Sequence, residues 1–253
     1  MAATAVNSGA TLVVLPELAV PGYTTDPDVL RRSAETIPGP TTAALTEVAM
    51  QSAAVIVVGL AEDSGGSIFN TAVAITSDGI VAHYRKLHLF DGEKQSFALG
   101  DLGLPVANTP YGRIGLCICY DLRFPEVARI LALRNVEIIC APAAWVHGFD
   151  QPRRELPGQV EGVIVQANLN QTFIACTSQV GTPGPHRFLG CSVLVDPFGE
   201  ISMGPLSSEH AEIAHTDIDL NACRDARRRS PTITPRDDRR TDVYGICYDG
   251  ELL

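Results

Sequence analysis

Short apolar runs separated by turn residues fill most of the chain, and their spacing predicts its elements. Residues 11–15, 54–59, 114–118 and 136–142 are brief, rich in Val, Ile and Leu, and apolar on both faces, which is the pattern of strands buried within sheets. Ser64-Gly65-Gly66 and Ser77-Asp78-Gly79 read as tight turns between further strands, so antiparallel pairs are mixed with parallel ones. Helices are expected over residues 2–7, stopped by Ser8-Gly9; after Pro38-Gly39-Pro40, capped by Thr41 with Leu45, Val48 and Ala49 on one face; from Pro125 through Arg134; and over 160–167. Residues 172–177 predict a strand, 190–200 a strand, tight turn and strand, and 211–218 one strand more. Strands alternate with helices along the whole chain without a repeat or linker. One α/β domain over residues 1–253 is therefore expected, with sheets covered by helices on their outer faces.

Composition narrows the partners. The 253 residues are 45% hydrophobic and 19% charged, enough to bury an extensive core. The formal net charge of -10 would repel nucleic acid and anionic membranes, so a small-molecule substrate is expected instead. Seven arginines cluster between Arg224 and Arg240, but Asp225, Asp237, Asp238 and Asp242 interleave with them, predicting local ion pairs. Seven cysteines without paired spacing predict free thiols and a reducing, cytoplasmic setting. No stretch has the length of a transmembrane helix, and residues 1–6 lack the basic start of a signal peptide. Cys117 and Cys119 would share one strand face, but no second pair at zinc-site spacing accompanies them, so neither metal nor other cofactor is expected.

The chemistry-bearing positions stand at strand ends. Cys119 falls where the strand over 114–118 hands over to the helix opened by Pro125. There the following backbone N–H groups can face an oxyanion, and a helix N-terminus favours thiolate. A packing cysteine fits this segment equally well. Glu17 follows the strand over 11–15, at the edge where open α/β sheets hold ligands, although a solvated loop glutamate reads the same way. Lys86 ends the strand entered through Ile80-Val81-Ala82-His83-Tyr84 and could stabilise an oxyanion or be simply solvated. Trp145, the sole tryptophan, lies past another strand end and could wall a pocket or serve the core.

Three separated pieces then align. Leu15-Pro16-Glu17 with Pro21-Gly22-Tyr23, Tyr84-Arg85-Lys86-Leu87-His88-Leu89, and Cys119-Tyr120-Asp121 with Arg123-Phe124-Pro125-Glu126 together resemble the carbon–nitrogen hydrolase (nitrilase) superfamily. Residues 190–199 and Asp238-Arg239-Arg240 extend the resemblance over nearly the whole chain. It implies a four-layer αββα sandwich, pairing of two subunits into an eight-layer homodimer, and a catalytic triad of Glu17, Lys86 and Cys119. Cys119 would attack an amide carbonyl, Glu17 would move the protons, and Lys86 with the Tyr120 backbone N–H would hold the oxyanion. Glu93 resembles the second glutamate that positions substrate in amidase members. Tyr23, Trp145 and residues 181–188 are the expected pocket walls.

Two departures from the family pattern stand out. Members begin with a strand and most of a helix ahead of the segment equivalent to Ser8-Gly9-Ala10, so the first sheet strand is expected to be missing here. Where many members carry Arg-Ala-x-Glu-Asn, this chain reads Gln166-Ala167-Asn168-Leu169-Asn170, with Leu169 in place of the glutamate. The resemblance implies hydrolysis of a non-peptide C–N bond in a small linear amide. An N-carbamoyl compound, which would also release carbon dioxide, is the alternative substrate. A non-catalytic, partner-dependent subunit is the alternative class.

Overall fold

The computed structural model describes residues 1–148, 156–182 and 186–253. In order, its elements are α1 (Ala2–Asn7), β1 (Leu12–Val14), α2 (Pro27–Ser33), α3 (Pro40–Met50), β2 (Val55–Ser64), β3 (Ser67–Thr76), β4 (Gly79–Arg85) and α4 (Glu93–Ser96). Then follow β5 (Val106–Thr109), β6 (Gly112–Leu116), a 3-10 turn (Cys119–Arg123), α5 (Pro125–Leu133), β7 (Ile138–Ala143), α6 (Gly158–Asn170) and β8 (Phe173–Ser178). The chain ends with β9 (Val193–Val195), β10 (Ile201–Met203), α7 (Asn221–Arg227), β11 (Cys247–Tyr248) and β12 (Glu251–Leu252).

The long strands form two sheets, one ordered β1-β2-β3-β4 and the other β10-β9-β8-β7-β6-β5. Both mix parallel and antiparallel pairs, as the hairpin turns predicted. Alternation along β2 and β3 explains how the sheets pack. Val55, Val57, Ala72 and Ala74 point between the sheets, against a core that includes Ile114 and Leu116. Ile56 packs on the other face with α1 and α3, and Val58, Leu60, Val73 and Ile75 cluster there too. α5 and α6 cover the outer face of the second sheet, completing four αββα layers. Strands buried on both sides read as continuous apolar runs, which is why they were legible.

Three expectations are corrected. The strand expected over residues 211–218 does not form: the segment is mostly exposed and has no sheet partner among the described residues. Its apolar residues Ala211, Ile213, Ala214 and Ile218 do not keep to one face at a period of two, so it offers no buried face to a sheet. Thr41 does not cap α3. The N-cap is Gly39, whose N–H donates to Thr42 Oγ1 at 2.8 Å, while the Glu35 carboxylate accepts from both the N–H and the hydroxyl of Thr41. α6 runs beyond 160–167, to a left-handed Gln171. In the arginine-rich tail, Arg240 pairs with Asp242 and Arg224 with Asp225, whereas Arg227, Arg236 and Arg239 donate to the carbonyls of Val136, Asn170 and Leu253.

A buried charge cluster ties β2, β3 and β4 together. Glu62 accepts from Thr71 Oγ1 at 2.6 Å and from Arg85, and it contacts His83 Nε2 at 2.8 Å. Burial alone would raise this carboxyl, but the hydrogen bonds from His83, Arg85 and Thr71 outweigh it and hold the pKa at about 2, below the ordinary 4.5. A depressed folded pKa means the stabilisation is complete above about pH 4.5 and lost as pH falls toward 2. Its ceiling is about 3 kcal/mol. Glu62→Gln is therefore expected to melt below wild type at pH 6, with the gap closing as pH is lowered through this window. A gap in melting temperature independent of pH would refute the assignment.

Candidate active site

Strand ends from both sheets converge on one place. β1 leads into Glu17, whose N–H reaches the carbonyl of Ala143 at the end of β7, and Gln179 just past β8 donates through Nε2 to the Glu17 carbonyl at 2.6 Å. Gly59 in β2 lets this segment lie directly on the strand, since a Cβ there would sit 2.6–2.8 Å from Pro16 O, Glu17 Cα and Leu18 N. Gly100 serves Lys86 similarly: its N–H donates to the Lys86 carbonyl at 2.9 Å, and a Cβ would collide with the Arg85 carbonyl. Cys119 opens the 3-10 turn with φ of 46°, an uncommon conformation for a residue with a side chain, held here by its surroundings. Cys117 is fully buried in the core and Cys119 lines the cavity, and both lie past the end of β6 at Leu116.

The side chains form one connected cluster. Lys86 Nζ donates to Glu17 Oε1 at 2.6 Å and to the two oxygens of Glu93 at 2.9 and 2.8 Å, with all three side chains fully buried. Asn70 Nδ2 also donates to Glu17 Oε1, at 2.8 Å, while Glu17 Oε2 has no partner among the described residues. Glu93 is steadied by the Tyr23 hydroxyl at 2.8 Å and the Phe90 N–H at 2.8 Å.

Electrostatics assign the protons. Burial raises the Glu17 carboxyl to about 7; Lys86 opposes this and Glu93 adds to it. Burial would lower the Lys86 ammonium, but Glu17 and Glu93 outweigh it and raise its pKa, so the lysine stays charged. Burial and then the Glu17 carboxylate push the Cys119 thiol well up, against Lys86 and the Ala144 N–H. The expected thiolate is thus corrected. With its pKa raised, the sulfur keeps its proton at rest, so a nucleophilic role would require a base, and Glu17 Oε2 has no partner among the described residues.

Above the cluster opens a cavity of about 380 Å³ lined by Tyr23, Glu93, Cys119, Tyr120 and Trp145, together with Phe90, Ala144 and residues of α6. Tyr120 packs edge-on to Phe90, with ring centroids 5.2 Å apart, and Trp145 is nearly buried. Residues 181, 182 and 186–188 are not among its lining. Phe188 and His186 pack behind the Tyr23 ring, Gly181, Thr182, Arg187 and Phe188 border a separate cavity, and 183–185 lie outside the described residues.

Two partners escaped the sequence reading. Asn70 sits inside β3, where its only signal was a polar residue in an apolar run. Asp121 was visible as part of a motif, but its work was not. Its buried carboxylate accepts from Tyr84 OH at 2.6 Å, His88 N–H at 3.1 Å and Ile118 N–H at 2.8 Å, and lies 2.8 Å from His88 Nδ1. One carboxylate thereby joins the residue before Cys119 to residues on both sides of Lys86.

Two face-packed sheets between helix layers, with a thiol, a carboxylate and an ammonium gathered at converging strand ends, define the class of protein. A family model of the carbon-nitrogen hydrolases matches residues 1–228. The nitrilase of Pyrococcus abyssi (strain GE5 / Orsay) is 34% identical over 240 residues, 94% of this chain and 87% of that protein. The omega-amidase NIT2 of Homo sapiens is 32% identical over 254 residues, 96% of this chain and 87% of that protein. Among solved structures, a carbon-nitrogen hydrolase from Helicobacter pylori G27 aligns with a TM-score of 0.80 at 28% identity, over 96% of this chain and 88% of that one. The chain belongs to the carbon-nitrogen hydrolase family and is an enzyme of that type. No helix among the described residues is long and apolar enough to cross a membrane.

Proposed function

We propose that this enzyme hydrolyses the C–N bond of a small linear amide through a thioester on Cys119. The observation that carries the reading is Glu17 Oε2, which has no hydrogen-bond partner among the described residues, on a carboxylate that acts electrostatically on the Cys119 thiol lining the cavity. Cys119 Sγ attacks the carbonyl carbon while Glu17 takes the thiol proton. Lys86 and the Tyr120 N–H stabilise the oxyanion. As the C–N bond breaks, Glu17 returns that proton to the leaving nitrogen, which departs as ammonia. Water then attacks the thioester, Glu17 accepts its proton, and collapse releases the carboxylic acid and restores the thiol. Glu93 holds Lys86 with both oxygens, which supports a role in positioning.

The seven free cysteines fit a reducing, cytoplasmic setting. The exposed pair Val165 and Leu169 on α6, with Phe198 alongside, offers an apolar face for a second copy and so supports a homodimer. Ammonia release from simple amides, ω-amides of dicarboxylic acids and N-carbamoyl amino acids is the test of function. Turnover by the wild type that disappears in Cys119→Ala is the expected result. Carbon dioxide appearing with ammonia would move the substrate to the carbamoyl class. Turnover that survives in Cys119→Ala would exclude the thioester.

A further inference from the structure

We propose that Asn70 is a positioning residue for Glu17: its side-chain amide engages one carboxylate oxygen and favours the charged, proton-accepting form of that carboxylate. The inference rests on the amidase reading, in which Glu17 is the base, and adds a residue and a pH dependence to it.

Asn70 lies inside β3, wholly buried, on a strand flanked by β2 and β4. Its backbone is spent on the sheet, where it stands opposite Ala61 and its carbonyl accepts from the Lys86 N–H at 2.8 Å. The side chain serves no strand. Nδ2 donates to Glu17 Oε1 at 2.8 Å and, at a longer 3.4 Å, to Glu93 Oε1, while Oδ1 has no partner among the described residues. A leucine would fill the same interior without stranding an oxygen, so sheet packing does not account for an amide here. Donation to two carboxylates does, because bonds to charged acceptors are the strong ones.

The charge balance shows what that donation does. Glu17 and Glu93 share one ammonium, Lys86, which divides its hydrogen bonds between them. Glu93 also accepts from the Tyr23 hydroxyl and the Phe90 N–H. Among the described residues, the one donor to the Glu17 carboxylate besides Lys86 is Asn70 Nδ2. Burial raises the Glu17 carboxyl to about 7, with Lys86 opposing, Glu93 adding and the Asn70 hydrogen bond lowering it. Such a carboxyl is half ionised in neutral solution, so losing a donor to its charged form tips it toward protonation there. Tyr23, Cys119 and Cys176 on β8 also feel the Glu17 charge. Burial holds all three well above their ordinary values and so neutral, and Lys86 stays charged.

The test is kcat/KM against pH for wild type, Asn70→Leu and Glu17→Gln. Asn70→Leu is expected to move the acid limb up by about one pH unit, since the charged form of Glu17 has lost a donor. Its kcat/KM then falls about fivefold at pH 7 and is largely recovered at about pH 9, a pattern that a merely structural defect would not produce. Glu17→Gln, flat over the same range, assigns the limb to Glu17 and not to Glu93. Should Asn70→Leu fold poorly, Asn70→Ala removes the same donor and is expected to shift the limb the same way. A second readout needs no turnover: the rate of Cys119 alkylation by iodoacetamide against pH, followed by peptide mass, carries the same limb because Glu17 takes the thiol proton there too. An alkylation limb that Asn70→Leu moves upward would uphold the proposal even if wild type released no ammonia, in which case the amidase reading alone fails. No limb in either wild-type profile, a limb that the folded variants leave in place or move down, or a loss equal at every pH would overturn it.

Discussion

Exchanging Glu17 for glutamine is expected to lower kcat for amide turnover by roughly 10²–10⁴ while leaving the fold intact. The carboxylate is held through one oxygen, by Lys86 at 2.6 Å and Asn70 at 2.8 Å, and its other oxygen has no partner among the described residues. A glutamine of the same shape can keep its carbonyl on Lys86 and Asn70. Its amide nitrogen then occupies the Oε2 position, where it donates and cannot accept the thiol proton. Because burial and Glu17 together hold the Cys119 thiol well above its ordinary pKa, no thiolate forms without that acceptor. The pH dependence follows with a definite sign. Glu17 works as a base only when deprotonated, and its pKa stands at about 7, so wild-type kcat/KM should fall about tenfold per unit as pH drops below 7. The variant should be low and flat across that range. Retention of more than a tenth of wild-type kcat, or an unchanged acid limb, would remove Glu17 from the role.

The parts of this site that were legible in the sequence share a physical position. Glu17, Lys86 and Cys119 each follow an apolar run that had to be a strand, and a polar residue at such a boundary is conspicuous. The cluster that connects them was not legible, because it is built across distances the chain order hides. Asn70 reaches Glu17 from 53 residues away, and Tyr84 reaches Asp121 from 37. Glu93 was named by resemblance, but its two-oxygen grip on Lys86 emerges only when α4 folds over the end of β4. The misread strand over 211–218 shows the converse: Ala211, Ile213, Ala214 and Ile218 fall on both faces of an extended chain, so the segment had no apolar face with which to join a sheet.

Asp121→Asn is expected to damage both stability and turnover, because this one carboxylate ties the segment before Cys119 to the residues flanking Lys86, two members of the proposed catalytic cluster. It binds Ile118 N–H, fixing the turn that holds Cys119 at a positive φ. It also binds Tyr84 OH and His88 N–H, which bracket Lys86 two residues on either side. An asparagine can accept at one atom but presents an NH₂ at the other, where Tyr84 OH and Ile118 N–H both donate. Losing charged hydrogen bonds in a fully buried place costs about 3 kcal/mol. For a chain of this size that lowers the melting temperature by roughly 6–12 °C. Tyr84→Phe removes one of these bonds and a partner of Leu87 N–H, so a smaller loss in the same direction is expected. The decisive measurement is kcat taken well below the melting temperature of each variant. If Asp121 aligns the nucleophile with Lys86, kcat falls at least tenfold there while KM moves little. A folded Asp121→Asn protein with wild-type kcat would leave the carboxylate a structural group only.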